Sequence, residues 1–202
     1  IFWKDNKEFL DLAVSTYGVP PSIVASLIGI ETFYGKITGN YRLIDSLSTL
    51  AFHYPNGNKK RKQFFRYQLK EFFLLSREEG FEPKSIRGSY AGALGIPQFM
   101  PNNYRQLAVD FDLDGDRDIL KSYADSIGSV ANYLSHHGWQ AGAPIFADAT
   151  LKRADAYTME KNSSSTNTSI GHLVSMGFDI QRRDISADMP ASVVRFKVGR
   201  SD

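Results

Sequence analysis

The sequence predicts a mainly α-helical protein with a small, partly β subdomain at its C-terminal end. Three observations carry that expectation. Apolar residues recur at helical spacing through most of the stretch before Trp139. Gly and Pro punctuate this pattern where helices would start and stop. After Trp139 the text turns to polar runs and short alternating segments, so the boundary falls between residues 1–140 and 141–202.

Taken in order, Lys4–Tyr17 reads as a first helix with Phe9, Leu12 and Ala13 on one side, stopped at Gly18. Pro20-Pro21-Ser22 open a second, Ser22–Tyr34, because Pro is tolerated in a first turn; Gly35 and Gly39 end it. A short helix covers Ile44–Phe52, with Asp45 as its cap, and Asn56–Lys62 reads as a polar, basic loop. Lys62–Glu79 is a long helix striped by Phe65, Leu69, Phe72 and Phe73, with Gly80 just past its end. Ser89–Phe99 is rich in Gly and Ala, which predicts irregular backbone and close packing. Pro101 starts a short helix through Val109, and Asp110–Asp118 forms an acidic loop. Asp125 reads as the N-cap of a helix with Ile127, Val130, Ala131 and Leu134 on one face, ended by Gly138. Asn162–Ser169 is a flexible polar stretch, and Val193–Val198 alternates as a half-buried strand.

Composition narrows the function. With 202 residues the chain can bury a sizeable core. A hydrophobic share of 42% and a charged share of 23% are those of a globular protein, and no apolar run reaches the length a bilayer requires. A net charge of +2 signals no general nucleic-acid role. The absence of cysteine excludes disulfides, thiolate metal sites and a cysteine nucleophile. The 14 Phe and 10 Tyr suit a core and also a groove that stacks sugar rings. The opening Ile1-Phe2-Trp3, without an initiator Met or signal peptide, reads as a processed or trimmed chain.

Three motifs carry chemistry. Val24, Leu27, Ile28 and Glu31 fall at i, i+3, i+4 and i+7, which puts Glu31 on an apolar face. Aliphatic surroundings disfavour a carboxylate, and that is how a glutamic acid keeps a proton and serves as a general acid. The alternative is a Glu at the rim of the face, reaching solvent. Gly88–Pro101 (GSYAGALGIPQFMP) permits close approach of backbone to ligand, with Ser89 and Gln98 offering hydrogen bonds to sugar hydroxyl or acetamido groups. The alternative is a tightly packed turn. Asp110, Asp112 and Asp114, with Gly115, match the front of a calcium loop, and Asp116 and Asp118 add carboxylates. Lys121 stands where a bidentate Glu is expected, so Asp125 is the residue that could close the site; the alternative is a solvated acidic turn capped by its own Asp side chains. The basic run Lys59–Lys62 reads as a solvated loop, the alternative being a contact with an anionic polymer.

Together these residues closely resemble the lytic murein transglycosylases of the membrane-bound type B family, from about Tyr17 to Trp139. The resemblance rests on Gly18-Val19-Pro20-Pro21, Ile30-Glu31-Thr32 with Tyr34-Gly35, Leu47–Phe52 with Tyr54-Pro55, and Gly88-Ser89 with Ala91-Gly92-Ala93. It continues through Gln98-Phe99-Met100-Pro101, Asp110-Phe111-Asp112, Ser129–Tyr133 and His137-Gly138-Trp139.

The resemblance implies a lysozyme-like catalytic domain and cleavage of the β-1,4 bond between N-acetylmuramic acid and N-acetylglucosamine in peptidoglycan. One residue, here Glu31, acts first as acid and then as base, and a 1,6-anhydro ring results. Ser89, Gln98 and Tyr133 line the sugar groove on this reading, with Phe99, Met100 and Tyr104 as further candidates. No cofactor is needed for catalysis, and a structural calcium is allowed at the acidic loop. The resemblance also implies a monomer acting on glycan strands in a periplasm, with room for an outer-membrane anchor in a full-length protein. Relatives continue into a Tyr- and Asn-rich segment that returns to the active site, so these residues read as a fragment or shortened form. Asn102 stands where relatives often have Ser. A hydrolytic muramidase on the same scaffold and a non-catalytic glycan-binding module remain the alternatives.

Overall fold

The computed structural model describes residues 1–152, 168–182 and 184–194. The chain divides into two compact units, Ile1–Gly142 and Ala143–Asp202.

The first unit is helical. It comprises α1 (Phe2–Asp5), α2 (Lys7–Tyr17), α3 (Pro21–Thr32), α4 (Leu43–His53), α5 (Lys59–Glu78), α6 (Pro101–Leu107) and α7 (Tyr123–His136). A two-residue antiparallel ladder pairs β1 (Tyr41–Arg42) with β2 (Arg87–Gly88) in the register Tyr41↔Gly88, Arg42↔Arg87.

Several boundaries differ from the sequence expectation, each for a local reason. The first helix breaks at Asn6, whose side chain turns back to donate to the Phe2 carbonyl at 2.9 Å. Asp45 is not a cap: it lies inside the first turn of α4 and pairs with Arg42 at 2.7 Å. Lys59–Lys62 is the first turn of α5 rather than a loop, because Asn58 Oδ1 accepts from Arg61 N at 3.0 Å and caps the helix early. Likewise α7 starts before Asp125, since Ser122 Oγ accepts from Asp125 N at 3.1 Å.

Two apolar clusters hold the unit together. One gathers Leu43, Leu47, Phe65, Phe72, Leu75 and Leu94 around α4 and α5. The other gathers Leu10, Ala13, Val24, Ile28, Ile96 and Ile127 around α2, α3 and α7. The Gly/Ala-rich segment serves both, sending Leu94 and Phe99 into the first and Ile96 into the second. Among the described residues no single helix is long and apolar enough to cross a membrane.

The second unit pairs β3 (Ala149–Leu151) with β5 (Phe178–Ile180), and β4 (Thr168–Ser169) with β6 (Pro190–Ala191), both antiparallel. Between them lies α8 (Ile170–Ser175), capped by Ser169 and burying Leu173. Val193 and Val194 form no strand. Residues 195–198 of the expected strand, and 162–167 of the expected polar stretch, lie outside the described residues.

Candidate active site

Glu31 occupies the last turn of α3 and is exposed to solvent. This corrects the apolar-face expectation. The buried residues of α3 are Val24, Ala25, Ile28 and Thr32, so Thr32 completes the stripe and Glu31 lies beside it. The helix itself therefore leaves the Glu31 side chain open to solvent.

What the fold does supply is a rigid mounting. Thr32 Oγ1 donates to the Ile96 carbonyl at 2.8 Å and accepts from Gly35 N at 2.9 Å. The next two residues, Phe33 and Tyr34, take left-handed backbone angles, φ 50° and 59°. Tyr34 is fixed further by Tyr123, whose hydroxyl donates to its carbonyl at 2.9 Å. Gln98 is a third non-glycine residue with positive φ, at 52°. Strained backbone of this kind persists only where surrounding contacts enforce it, and it concentrates at functional sites.

The segment after Glu31 then runs along the Gly/Ala-rich segment. Gln98 Nε2 donates to Thr38 O at 3.0 Å and to Gly95 O at 2.8 Å. Both amide protons are thus used, and Oε1 is left to accept from a ligand. Gly39 (φ 99°) passes so close to β2 that a Cβ there would stand 2.2 Å from the Gly88 carbonyl oxygen. Ser89 is half-buried; its Oγ accepts from Ala93 N at 3.0 Å, which leaves the hydroxyl proton to donate outward. Glu31, Ser89 and Gln98 therefore belong to neighbouring segments stitched together by Thr32–Ile96, Gln98–Thr38 and the β1–β2 ladder.

The remaining groove candidates separate. Tyr133 is half-buried, with its ring stacked on His137 (centroids 4.2 Å apart) and tilted against Phe99 (5.4 Å). Phe99 is buried and Met100 half-buried, both packed in or against the α4–α5 core. Tyr104 is wholly buried and its hydroxyl donates to the Arg117 carbonyl, so it is a core residue and not a groove residue. Burial pushes its phenol pKa well up.

At the acidic loop, Asp110, Asp112 and Asp125 bring carboxylate oxygens within 4.8 Å of one another. Asp114, Asp116 and Asp118 are not part of that cluster; Asp114 and Asp118 close local turns, as Asp110 also does by accepting from Asp114 N and Gly115 N. Asp114 Oδ1 accepts from Asp116 N (2.9 Å), and Asp118 Oδ1 accepts from Leu120 N (2.9 Å) and Lys121 N (3.1 Å). Asp125 is buried, and its two oxygens accept from Phe111 N at 2.8 Å and Asp118 N at 2.7 Å. Burial raises its pKa against those two hydrogen bonds, and the charges of Asp112 and Asp110 add to the rise. Three convergent carboxylates suit a hard, oxygen-seeking cation, which would relieve that repulsion.

The fold is that of the lysozyme-like, glycan-cleaving enzymes. The chain belongs to the transglycosylase SLT domain family, which it matches over residues 1–199. It is 38% identical over 199 residues to membrane-bound lytic murein transglycosylase B of Escherichia coli (strain K12), covering 98% of this chain and 52% of that protein. The chain thus spans about half the length of its curated relative. Catenated lytic transglycosylase SltB1 from Pseudomonas aeruginosa superposes with a TM-score of 0.90 at 43% identity, covering 96% of this chain and 62% of that one. Escherichia coli lytic transglycosylase Slt35, in a structure with calcium, gives a TM-score of 0.79 at 38% identity, over 90% of this chain and 55% of its own.

Proposed function

We propose that this chain is the glycan-cleaving part of a peptidoglycan lytic transglycosylase, with Glu31 as its acid and base. The observation that carries the reading is the mounting of Glu31 at the end of α3, beside segments that present Ser89 and Gln98. Family membership and the murein transglycosylase relative support the substrate class.

The chemistry requires the Glu31 carboxylic acid to protonate the oxygen joining N-acetylmuramic acid to N-acetylglucosamine as the C1–O bond breaks. The substrate's own acetamido carbonyl supports C1. The resulting Glu31 carboxylate then removes the C6 hydroxyl proton, and O6 closes on C1 to give the 1,6-anhydro product. No water is consumed. Because Glu31 is open to solvent in the free chain, the bound glycan itself must exclude water from the carboxyl group and supply the desolvation that general-acid catalysis needs. Ser89 and the Gln98 Oε1 position the sugar, with the Tyr133 ring alongside. Asp110, Asp112 and Asp125 would hold a structural calcium that takes no part in these bond changes. The chain acts as a monomer on glycan strands in the periplasm.

The same openness of Glu31 favours one other reading, hydrolysis, since water can reach the site. Mass spectrometry of products from purified sacculi separates the two: anhydro ends are expected, and reducing ends alone would replace the transglycosylase reading with a muramidase. Glu31→Gln is expected to keep the melting temperature and to lower product release by at least about a thousandfold. Substantial turnover by that variant would remove Glu31 from the mechanism.

A further inference from the structure

The outward face of α5 is cationic, aromatic and free of acidic residues. Lys59, Lys62, Arg66, Lys70, Phe73 and Arg77 recur at spacings of three and four, so they share one side of a 20-residue helix about 30 Å long. Both acids of the helix face elsewhere. Glu71 and Glu78 are neutralised by Arg105 of α6. Among the described residues, none of the five cations on the outward face has a carboxylate within salt-bridge reach. The whole chain carries a net charge of only +2, so this face is a concentration of charge and not a sample of a basic protein.

Rings stand exposed among these charges. Phe73 is 47% exposed, Tyr67 42%, and Phe52 of the adjoining α4 52%. The Arg66 guanidinium lies 5.5 Å from the Phe52 ring centroid, which holds that ring at the surface beside the cations. Phe52, Arg66, Leu69, Lys70, Phe73 and Arg77 line a shallow, open hollow of about 510 Å³.

We infer that this face docks on an anionic phospholipid bilayer. The cations match phosphate headgroups, and the exposed rings enter the interfacial layer, as expected for a polybasic surface on an anionic leaflet. A purely polyanionic partner would use the cations and leave the exposed Phe73 ring without a role. This inference stands apart from the chemistry assigned to Glu31, because lipid binding is read without turnover.

The test is co-sedimentation of the chain with large vesicles of phosphatidylcholine alone or mixed with phosphatidylglycerol. Partition onto the mixed vesicles is expected to be about tenfold or more higher, and to fall as salt is raised. Lys70→Glu with Arg77→Glu should abolish that preference. Phe73→Ser should weaken binding several-fold while leaving the salt dependence in place. Melting temperatures, which both variants are expected to keep, report that the fold is intact. Equal partition onto both vesicle types, or no loss in the Lys70→Glu/Arg77→Glu variant, would overturn the proposal. So would retention on poly-L-glutamate equal to that on mixed vesicles and unchanged by Phe73→Ser, since the partner would then be an acidic polymer.

Discussion

Thr32 fixes where Glu31 can point. The i, i+3, i+4, i+7 spacing assigns Glu31 to the apolar face, but α3 packs against both α2 and α7, and the buried arc turns toward Ala25 and Thr32. Periodicity gives the existence of a buried stripe and cannot give its edge, because the edge depends on how many neighbours the helix meets. Thr32 fits inside because its hydroxyl has partners on both sides, the Ile96 carbonyl and the Gly35 amide. Thr32→Val keeps the shape and removes both bonds. Leaving a buried polar group unpaired costs about 1–3 kcal/mol, so denaturant unfolding should show a loss of that order. The release of anhydro products should fall as well, since the end of α3 would no longer be tied to the Gly95–Gln98 turn. A variant with wild-type stability would show that these two bonds do not hold the site. Gln98 teaches a similar lesson. Its type marks it as a sugar ligand, whereas the structure shows its amide protons committed to Thr38 and Gly95, which leaves one acceptor for the substrate.

Helix α5 shows what hydrophobicity alone misreads at the scale of an element. Its apolar residues suggest a stripe of Phe65, Leu69, Phe72 and Phe73, yet Phe73 is exposed while Gln68, Glu71 and Ser76 are buried. Ser76 is satisfied within the helix, donating to the Phe72 carbonyl at 2.8 Å, whereas Gln68 and Glu71 go inside because α6, far along the chain, brings their partners. Gln68 Oε1 accepts from Asn102 N at 3.2 Å, and Glu71 pairs with Arg105. No local pattern encodes a partner some thirty residues away. Arg105→Met would strand the Glu71 carboxylate in the core at a cost of about 3–5 kcal/mol, measurable in urea. Adding Glu71→Met should recover most of that loss, because an apolar pair of similar volume needs no counter-charge. A double variant as unstable as the single one would mean that the pair itself, and not the isolated charge, sets the cost. Gly128 in α7 is a second element-level device. A Cβ there would stand 2.3 Å from the Phe111 ring, so the ring of the acidic loop seats directly on the helix backbone. Replacing a helical Gly by Ala is ordinarily worth about 1 kcal/mol in favour of folding. Here Gly128→Ala is expected to destabilise, and a raised melting temperature would refute the close seating.

At the scale of the whole molecule, the helical unit is two cores joined by one irregular segment. Its helices were legible because each carries an apolar stripe, and the Ser89–Phe99 region was legible only as irregular, since Gly and Ala report close packing without naming what is packed. That the segment feeds Leu94 and Phe99 to one core and Ile96 to the other became visible only in three dimensions. The unit is closed at its end by Trp139, whose indole Nε1 donates to the Gly18 carbonyl at 2.8 Å, and by Ala141, which packs against Gly18. The acidic loop belongs to the same closure: Phe111 stacks on Tyr17 at 6.2 Å, and Asp125 anchors the loop to α7. All three clustered carboxylates lie within Ile1–Gly142. A chain ended at Gly142 is therefore expected to melt cooperatively and to keep the full calcium response. A ligand that binds only the folded state adds about 2.7 kcal/mol at a hundredfold excess over its dissociation constant, which for a unit of this size raises the melting temperature by several degrees. Calorimetry of the chelated chain, with and without added calcium, measures the shift. Asp112→Asn should weaken or remove it while leaving the calcium-free melting temperature equal or higher, because that substitution relieves repulsion at Asp125 and leaves intact the bonds that Asp110 accepts from Asp114 N and Gly115 N. A flat calcium titration of the unsubstituted chain would show that the three carboxylates hold no cation, and a shift that needs residues beyond Gly142 would show that the first unit does not hold it alone.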